Sequence, residues 1–563
     1  MSSTRPLAEE SGFRDAFTPK LVTVLRDGYD VAGLRADAIA GLTVAVVALP
    51  LSMAIAIASG VAPDRGLYAA IFGGVLVSML GGSRFQIGGP AGAFIVLVAA
   101  TVERHGVDGL LLATAISGLF LMAAALLRLG TYIRFVPYPV TVGFTAGIAA
   151  IILASQLKDL LGLTLAGREP TELLPKLQAL LQGLPTFNPS ALAVAGGTVA
   201  IIVAQRRWAP RVPGLLIAVA LAAVATSAFG LPVETVGSRF GGIPGGLPVP
   251  AVPTVSWAKL QAVLPDAAAF ALLGAIESLL SATVADGMTG RRHRPNGELL
   301  AQGVANIGSA LVGGICVTGT VARTATNVRA GARGPVAGML HSVFLLGFML
   351  LAAPLAAHIP MAALAGVLVV VAWGMAEKHA FASLLRGPRG DGAVLLSTFL
   401  LTVFVDLMQG IVVGFALGAL LFIHRMSLAA GIEAAPLPER DEPPERRTVY
   451  DPELAARSDV VVYRVTGAFF FGTASTLGAV LDRIADQRRT FVLDLAQAPY
   501  LDSTGAHTVE SVGRRAGRNG VRLIVAGANP TVRGALEAHG VGPPLVEFRD
   551  DLAAALADLD ARG

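Results

Sequence analysis

One cysteine, Cys316, stands in 563 residues, so no internal disulfide can form. Cys and His do not recur at zinc-ligand spacings, and no structural metal is implied. Charge is scarce as well: Asp, Glu, Lys and Arg make up 15% of the chain, where a soluble domain carries about a quarter. No lysine follows a glycine, which removes the G-x-x-x-x-G-K-[ST] phosphate loop, and H-E-x-x-H is also missing. The chain therefore does not read as an enzyme or as an ATP-driven pump, and no cofactor is implied. Its N-terminus, "MSSTRPLAEESGFRDAFTPKLVTVLRDGYD", lacks the apolar core of a cleavable signal peptide. We read residues 1–35 as a cytoplasmic leader with amphipathic stretches.

What the chain has instead is apolar length. Hydrophobic residues account for 54% of it, mean hydropathy is +0.67, and runs such as 38–60, 109–127 and 336–357 carry no Asp, Glu, Lys or Arg. Each is long enough to cross a bilayer core as helix. Spans are expected to begin near Ala38, Gly66, Gly88, Gly109, Val140, Ala191, Pro213, Ala267, Leu299, Thr320, Val336, Ala363, Val394 and Ile411. Basic residues gather at the ends of the even-numbered spans: Arg84, Arg128, Arg134, Arg206, Arg207, Arg211, Arg291, Arg292, Arg294, Arg329, Arg333, Lys378, Arg386, Arg389 and Arg425. The positive-inside rule then places both termini in the cytoplasm, with the protein in the inner (plasma) membrane. The sequence pI of about 9.4 reflects this topology and does not point to nucleic acid.

After Arg425 the composition turns to Pro and charge, as in a linker (431–456) that closes the membrane part (36–430). Beyond it, "DVVVYRVTGAFFF", "RRTFVLDLAQAPYLD" and "GVRLIVAGANP" read as buried strands, separated by helical patterns at 474–487 and 505–519. That alternation predicts a small soluble α/β domain over 457–563.

Two stretches in the membrane part are poor in large apolar residues and broken by Gly or Pro: "QIGGPAGAF" (86–94) and "VTGTVARTA" (317–325). Each lies in the third span of its half of seven, the pattern of a transporter site at an inverted-repeat interface. Half-helices starting near the midplane would turn free N–H groups and positive dipole ends toward an anion; close helix packing is the alternative use of such small residues. The eighth span carries Glu277, with Ser281 one turn later on the same face. An intramembrane carboxylate is costly and calls for a partner. Arg323 is the expected one, either as an ion pair that takes part in transport or as a structural salt bridge. Asp286, Asn306, Asn327 and Asp406 are expected to cap helices or bond neighbours, and Asp37 to be a helix-terminal residue.

Four segments carry a family resemblance over nearly the whole chain: "RADAIAGLTVAVVALPLSMAIAIASGVAPDRGLYAAIFGG", "GGSRFQIGGPAGAF", "AIESLLSATVADGMTGRRHRPNGELLAQGVANIGSALVGG" and "VARTATNVRAGARGP". The chain resembles the sulfate permease family of anion transporters, and its C-terminal part resembles a STAS domain. The resemblance implies a polytopic α-helical membrane protein of fourteen spans, seven inverted on seven, divided into core and gate domains as in uracil transporters, and a homodimer. It implies a small anion held between the third and tenth spans by Leu51, Ala93, Phe94, Glu277, Ser281, Thr320, Val321, Ala322 and Arg323; Glu277 is our own candidate for the proton carrier. Pro50-Leu51 departs from the Pro-Gln of eukaryotic sulfate transporters. Glu277 and Arg323 depart from sodium-coupled bicarbonate members, which resemble the chain at "ALPLSMA". "GAIESLL", "DGMTG", "ARTATNVRAGA" and "VVAWGMAEKH" are most similar to C4-dicarboxylate transporters of the DauA type, so proton-coupled uptake of succinate or fumarate is expected, with sulfate or bicarbonate, sodium coupling or anion exchange as alternatives. In "YLDSTGAHTVESV" the position of Thr504 resembles the phosphorylated hydroxyl of anti-sigma antagonists. Helix capping by Asp502 and Ser503 is the other reading there. The domain is also suited to folding, dimer contacts or a cytoplasmic regulator. An anion channel, a voltage-responsive motor and a sensor that binds without net flux are the rivals from other classes.

Overall fold

The computed structural model describes residues 16–132, 136–167, 169–170, 172–209, 214–429, 431–434, 460–469, 490–518 and 520–560. Arg134, Arg211, the expected helix at 474–487, residues 1–15 of the expected leader and most of the expected linker lie outside them. Contacts divide the chain into two compact units, 1–415 and 416–563.

The first unit is helical. A short helix, α1 (Lys20–Arg26), precedes the first span, α2 (Val31–Ala58), whose N-cap Asp30 accepts a hydrogen bond from the backbone N–H of Gly33. The second span comes in three pieces: α3 (Pro63–Tyr68), a π-helical turn (Ala69–Gly73) and α4 (Gly74–Leu80). The third does not start as helix at Gly88. It starts as a two-residue strand, β1 (Gly88–Gly89), followed by a 3-10 turn (Gly92–Phe94) and α5 (Ile95–Leu126). At Gly106, with φ 67°, α5 leaves helical geometry, a backbone state that favours glycine; this break separates the third span from the fourth.

Next come α6 (Tyr138–Leu161), the amphipathic α7 (Leu173–Gly183), α8 (Pro189–Trp208), α9 (Gly214–Phe229) and the short α10 (Val236–Phe240). The second half opens with α11 (Trp257–Thr289), capped by Ser256, and α12 (Pro295–Leu311). It repeats the interruption as β2 (Thr318–Gly319) and α13 (Val321–Arg329). It ends with α14 (Val336–Ala356), α15 (Met361–Met375), α16 (Lys378–Arg386), α17 (Arg389–Phe404) and the start of α18 (Leu407–Ala429), which runs past residue 415 into the second unit. Among the described residues eight helices are long and apolar enough to cross a membrane by themselves; the fourteen spans are reached because several crossings are broken or short.

Packing sorts the spans into two groups. In one, α2 lies on α14, and α5 on α11 and α12; in the other, α6 lies on α15 and α17, and α8 on α9 and α15. Small residues permit the closest approaches. A Cβ on Gly41 of α2 would strike the carbonyl of Ala337, and Gly118 and Gly303, on α5 and α12, each face the other's carbonyl oxygen.

The second unit carries a five-stranded sheet, β3 (Gly431–Ala434), β4 (Val460–Thr466), β5 (Thr490–Asp494), β6 (Arg522–Ala526) and β7 (Glu547–Arg549), in that order. Only β3 is antiparallel, pairing Gly431 with Thr466; β3 lies at the start of the segment expected to be linker. Every residue of the central β5 is buried, as a strand covered on both faces requires. Helices α19 (Ser503–Arg518), α20 (Pro530–Ala538) and α21 (Leu552–Asp560) accompany the sheet. The sequence pattern marks β4, β5, β6 and α19; the edge strands β3 and β7 are too short to show a period.

Candidate functional site

β1 and β2 pair antiparallel, Gly88 with Gly319 and Gly89 with Thr318. Because each strand runs straight into a helix, the antiparallel pair sends the two helices away from each other and leaves their N-termini on either side of one ladder. Neither N-terminus has a side-chain cap: Ala91 precedes the 3-10 turn and Thr320 precedes α13. The first N–H groups of a helix need partners, and together with the dipole they form a ready anion site.

The ladder is held from three sides by side chains that reach backbone. Asn306 of α12 clamps Val317 at both its N–H (2.9 Å) and its carbonyl (2.8 Å). Thr318 donates to the carbonyl of Gly274 on α11 (3.2 Å), and the backbone N–H of Thr320 donates to Ile87 (3.1 Å). Ser281 donates to Thr324, whose hydroxyl in turn accepts from the N–H of Ile87, both at 3.1 Å. Asn327 donates to the carbonyl of Phe85 (2.9 Å). Asn306 and Asn327 thus bond neighbours as expected. Asp286 accepts from His293, Asp406 from the N–H groups of Met408 and Gln409, and Asp37 from those of Arg333 and Gly334.

Arg323 is 2% exposed. Its Nη2 donates to Ser52 Oγ of α2 at 3.1 Å and to the carbonyl of Pro90 at 3.2 Å, while Nε and Nη1 have no partner among the described residues. Glu277 is half-buried, with a buried Oε2 that is likewise unpartnered. The expected Glu277–Arg323 ion pair is not among the salt bridges of the described residues. The reason is helical rotation: one residue on α13 turns the side chain by about 100°, so Arg323 points to α2 and β1 while Thr324, next in sequence, points to Ser281 on α11.

The other predicted site residues separate into two kinds. Val321 is 38% exposed and Ala322 is exposed, which leaves the first turn of α13 open. Leu51, Ala93 and Phe94 are buried, Phe94 tilted against Phe270 of α11 with ring centroids 6.0 Å apart. The hydroxyls of Ser281 and Thr320 are turned into the ladder, Thr320 donating to Ile87 at 3.3 Å. In the second unit Thr504 is exposed in the first turn of α19, and Asp502 accepts from the N–H of Gly505 at 2.8 Å, a cap.

Sequence reasoning passed over four residues. Ser52 holds Arg323. Gln86 donates to the carbonyl of Ser278 and to Glu298. Glu298, fully buried on α12, also accepts from the N–H of Ser83 and from Gln302, both at 3.0 Å, and so pins the loop that leads into β1. It is an intramembrane carboxylate like Glu277, and the same rule could have found it. His341 is the fourth.

The arrangement has close counterparts. Residues 34–398 match the sulfate permease family and residues 451–555 the STAS domain. YvdB of Bacillus subtilis, whose name carries it as a candidate sulfate transporter, is 38% identical over 91% of this chain and 95% of its own length. The bicarbonate transporter BicA of Picosynechococcus is 30% identical over 90% of each. Among solved structures, the murine Slc26a9 anion transporter in its inward-facing state covers all of this chain and 96% of its own with a TM-score of 0.85 at 17% identity, a likeness of fold. The transmembrane domain of a cyanobacterial BicA covers 68% of this chain and 98% of its own with a TM-score of 0.61 at 33% identity. With its two interrupted spans paired at one ladder, and with family likeness extending over most of the chain, this membrane protein belongs to the sulfate permease family of anion transporters.

Proposed function

We propose that the chain is a secondary active transporter that takes up a C4-dicarboxylate such as succinate or fumarate together with protons, binding it where the N-termini of the 3-10 turn (Gly92–Phe94) and α13 meet. The observation that carries this is Arg323: a buried guanidinium with two nitrogens that have no partner among the described residues, beside an uncapped helix N-terminus. A planar guanidinium offers parallel donors to two oxygens of a carboxylate or other oxoanion. Leu51, Ala93 and Phe94 wall the site, and Val321 and Ala322 supply N–H groups. Glu277, on the opposite wall, is the proton carrier; the core carries anion and proton across as it moves against the gate. The protein works as a homodimer with both termini in the cytoplasm, and the STAS unit is the place for a regulator or for phosphorylation at Thr504.

A second reading is favoured by the names of the relatives: sulfate or bicarbonate as the anion, by symport or exchange. Uptake of radiolabelled succinate, fumarate, bicarbonate and sulfate into proteoliposomes, with and without an inward proton gradient, separates the two. Gradient-driven dicarboxylate uptake is the expected result. Preference for an inorganic anion would transfer the site to the second reading.

Gly89 provides a local test. A Cβ there would collide with Nη1 of Arg323, so Gly89→Ala must displace the guanidinium or the strand, an overpacking cost of about 1–3 kcal/mol. Anion uptake is expected to fall at least about tenfold. The melting temperature should drop by only a few degrees. Wild-type uptake in Gly89→Ala would show that the position of the guanidinium is unimportant.

A further inference from the structure

A second buried carboxylate stands behind the ladder, and the transport reading leaves it unused. Glu298, in the first turn of α12, is 0% exposed. It has no ion-pair partner among the described residues. The basic side chains flanking it are engaged elsewhere: Arg294 donates to the carbonyl of Thr18 and to Thr23, His293 bonds Asp286, and Arg84 pairs with Asp27. The dipole of α12 favours an acid in its first turn, and three neutral donors do the rest. Oε2 accepts from the N–H of Ser83 at 3.0 Å, and Oε1 from Nε2 of Gln302 at 3.0 Å and Nε2 of Gln86 at 3.1 Å. The loop comes this close because Gly81 and Gly82 lack side chains: a Cβ on the first would lie 3.1 Å from Oε2, and one on the second would strike the carbonyl of Arg294.

Gln86 carries the contact onward to the site. Its Nε2 also donates to the carbonyl of Ser278, the residue after Glu277 on α11, at 3.0 Å. A Cβ on Gly319 would collide with the same amide. Gly319 is the last residue of β2, and Thr320 after it is the N-cap of α13. The nitrogen of Gln86 therefore lies between two acceptors, and turning the amide over would set its oxygen against the carbonyl of Ser278. The amide oxygens of Gln86 and Gln302 have no partner among the described residues. Two buried acceptors go unmet while three donors converge on one carboxylate, a departure from ordinary native interiors that calls for a function.

We propose that Glu298 is a positioning residue for the anion site. Through Gln86 it fixes Gly319, and with it the start of α13, from which Arg323 and the N–H groups of Val321 and Ala322 face the anion. Glu298 itself never touches the anion. Both of its oxygens must accept, so glutamine, though of the same shape, does not replace it: whichever way that amide turns, its NH2 meets a donor, either the N–H of Ser83 or the nitrogens of Gln86 and Gln302. Losing Gln86 from its place releases Gly319, and a shift of about 1 Å at a binding site can cost roughly 100-fold. The inference rests on the anion binding at the N-terminus of α13.

The test uses the full chain in proteoliposomes with radiolabelled fumarate, sulfate and bicarbonate as probes. In Glu298→Gln and in Gln86→Ala, KM for the transported probe should rise at least about tenfold while Vmax per folded molecule stays within about threefold, the pattern of lost uniform binding. The double variant should be within about threefold of Glu298→Gln alone, because both changes break one contact. An unchanged KM in Glu298→Gln overturns the proposal, as do losses that multiply in the double variant, or a fall in Vmax alone, which is what a purely structural role gives. A second readout needs neither uptake nor the Glu298 variant. Val321→Cys, at a position 38% exposed in the first turn of α13, is labelled with a charged methanethiosulfonate in a Cys316→Ser background, and adding Gln86→Ala should change the labelling rate severalfold. An unchanged rate means that Gln86 does not position α13. A changed rate with an unchanged KM means that α13 moved and the anion binds elsewhere, which overturns the proposal through the anion-site reading and not through the contact.

Discussion

Arg323→Ala should lower uptake of every transported anion by roughly 100-fold, the equivalent of about 3 kcal/mol, because two charge-assisted hydrogen bonds to the substrate disappear from a buried site. Stability should change far less. Burying the guanidinium is itself costly, so its removal offsets the loss of the bonds to Ser52 and Pro90. Arg323→Lys restores the charge without the parallel donors, and an intermediate loss of about tenfold is expected. A purely structural role for Arg323 predicts the reverse order, with melting temperature falling first and transport following it. Ligand-induced stabilisation separates the two cases. Saturating anion should raise the melting temperature of the wild type, by the equivalent of about 2.7 kcal/mol at a hundredfold excess over Kd, and leave that of Arg323→Ala unmoved. Equal stabilisation of both proteins would remove Arg323 from the site.

Why Arg323 was legible and its partner was not comes down to period and rotation. A lone arginine among Gly, Ala and Thr within an apolar chain is conspicuous in one dimension, and so are two Gly- and Pro-broken spans in matching halves. Composition therefore marks the two interrupted spans, but not that they pair as strands β1 and β2. Which wall Arg323 faces depends on a single residue's rotation about α13, which composition does not show, and Glu277 is the intramembrane carboxylate that the sequence offers as its partner. The structure turns Arg323 to Ser52 and leaves Thr324 to meet α11. Glu298 is inconspicuous in sequence for a related reason: it lies near the start of its span, where charge is common, and only the fold brings Ser83, Gln86 and Gln302 around it. The break at Gly106 was legible only as a change of span. The edge strands of the second unit give no periodic signal in three or four residues.

The absence of a Glu277–Arg323 pair changes what Glu277→Gln should do. Were the two paired, the anion would have to displace the carboxylate, and neutralising Glu277 would release Arg323 and tighten anion binding. Oε2 of Glu277 has no partner among the described residues and Arg323 faces another helix, so anion affinity in Glu277→Gln should stay within about threefold of the wild type. Glutamine reproduces the shape of a protonated carboxyl but cannot release the proton. Proton-driven accumulation should therefore vanish, from about tenfold per pH unit for one coupled proton to none, while exchange of internal for external anion, which needs no net proton movement, continues. Glu277→Asp keeps a titratable group and should retain part of the accumulation. Loss of both accumulation and exchange would make Glu277 a binding or structural residue, and normal accumulation in Glu277→Gln would place the coupled proton elsewhere, with the buried Glu298 and His341 as candidates. With the expected result, anion and proton occupy opposite walls of the ladder, and their coupling runs through the motion of the core that carries both, since no ion pair is there to be broken.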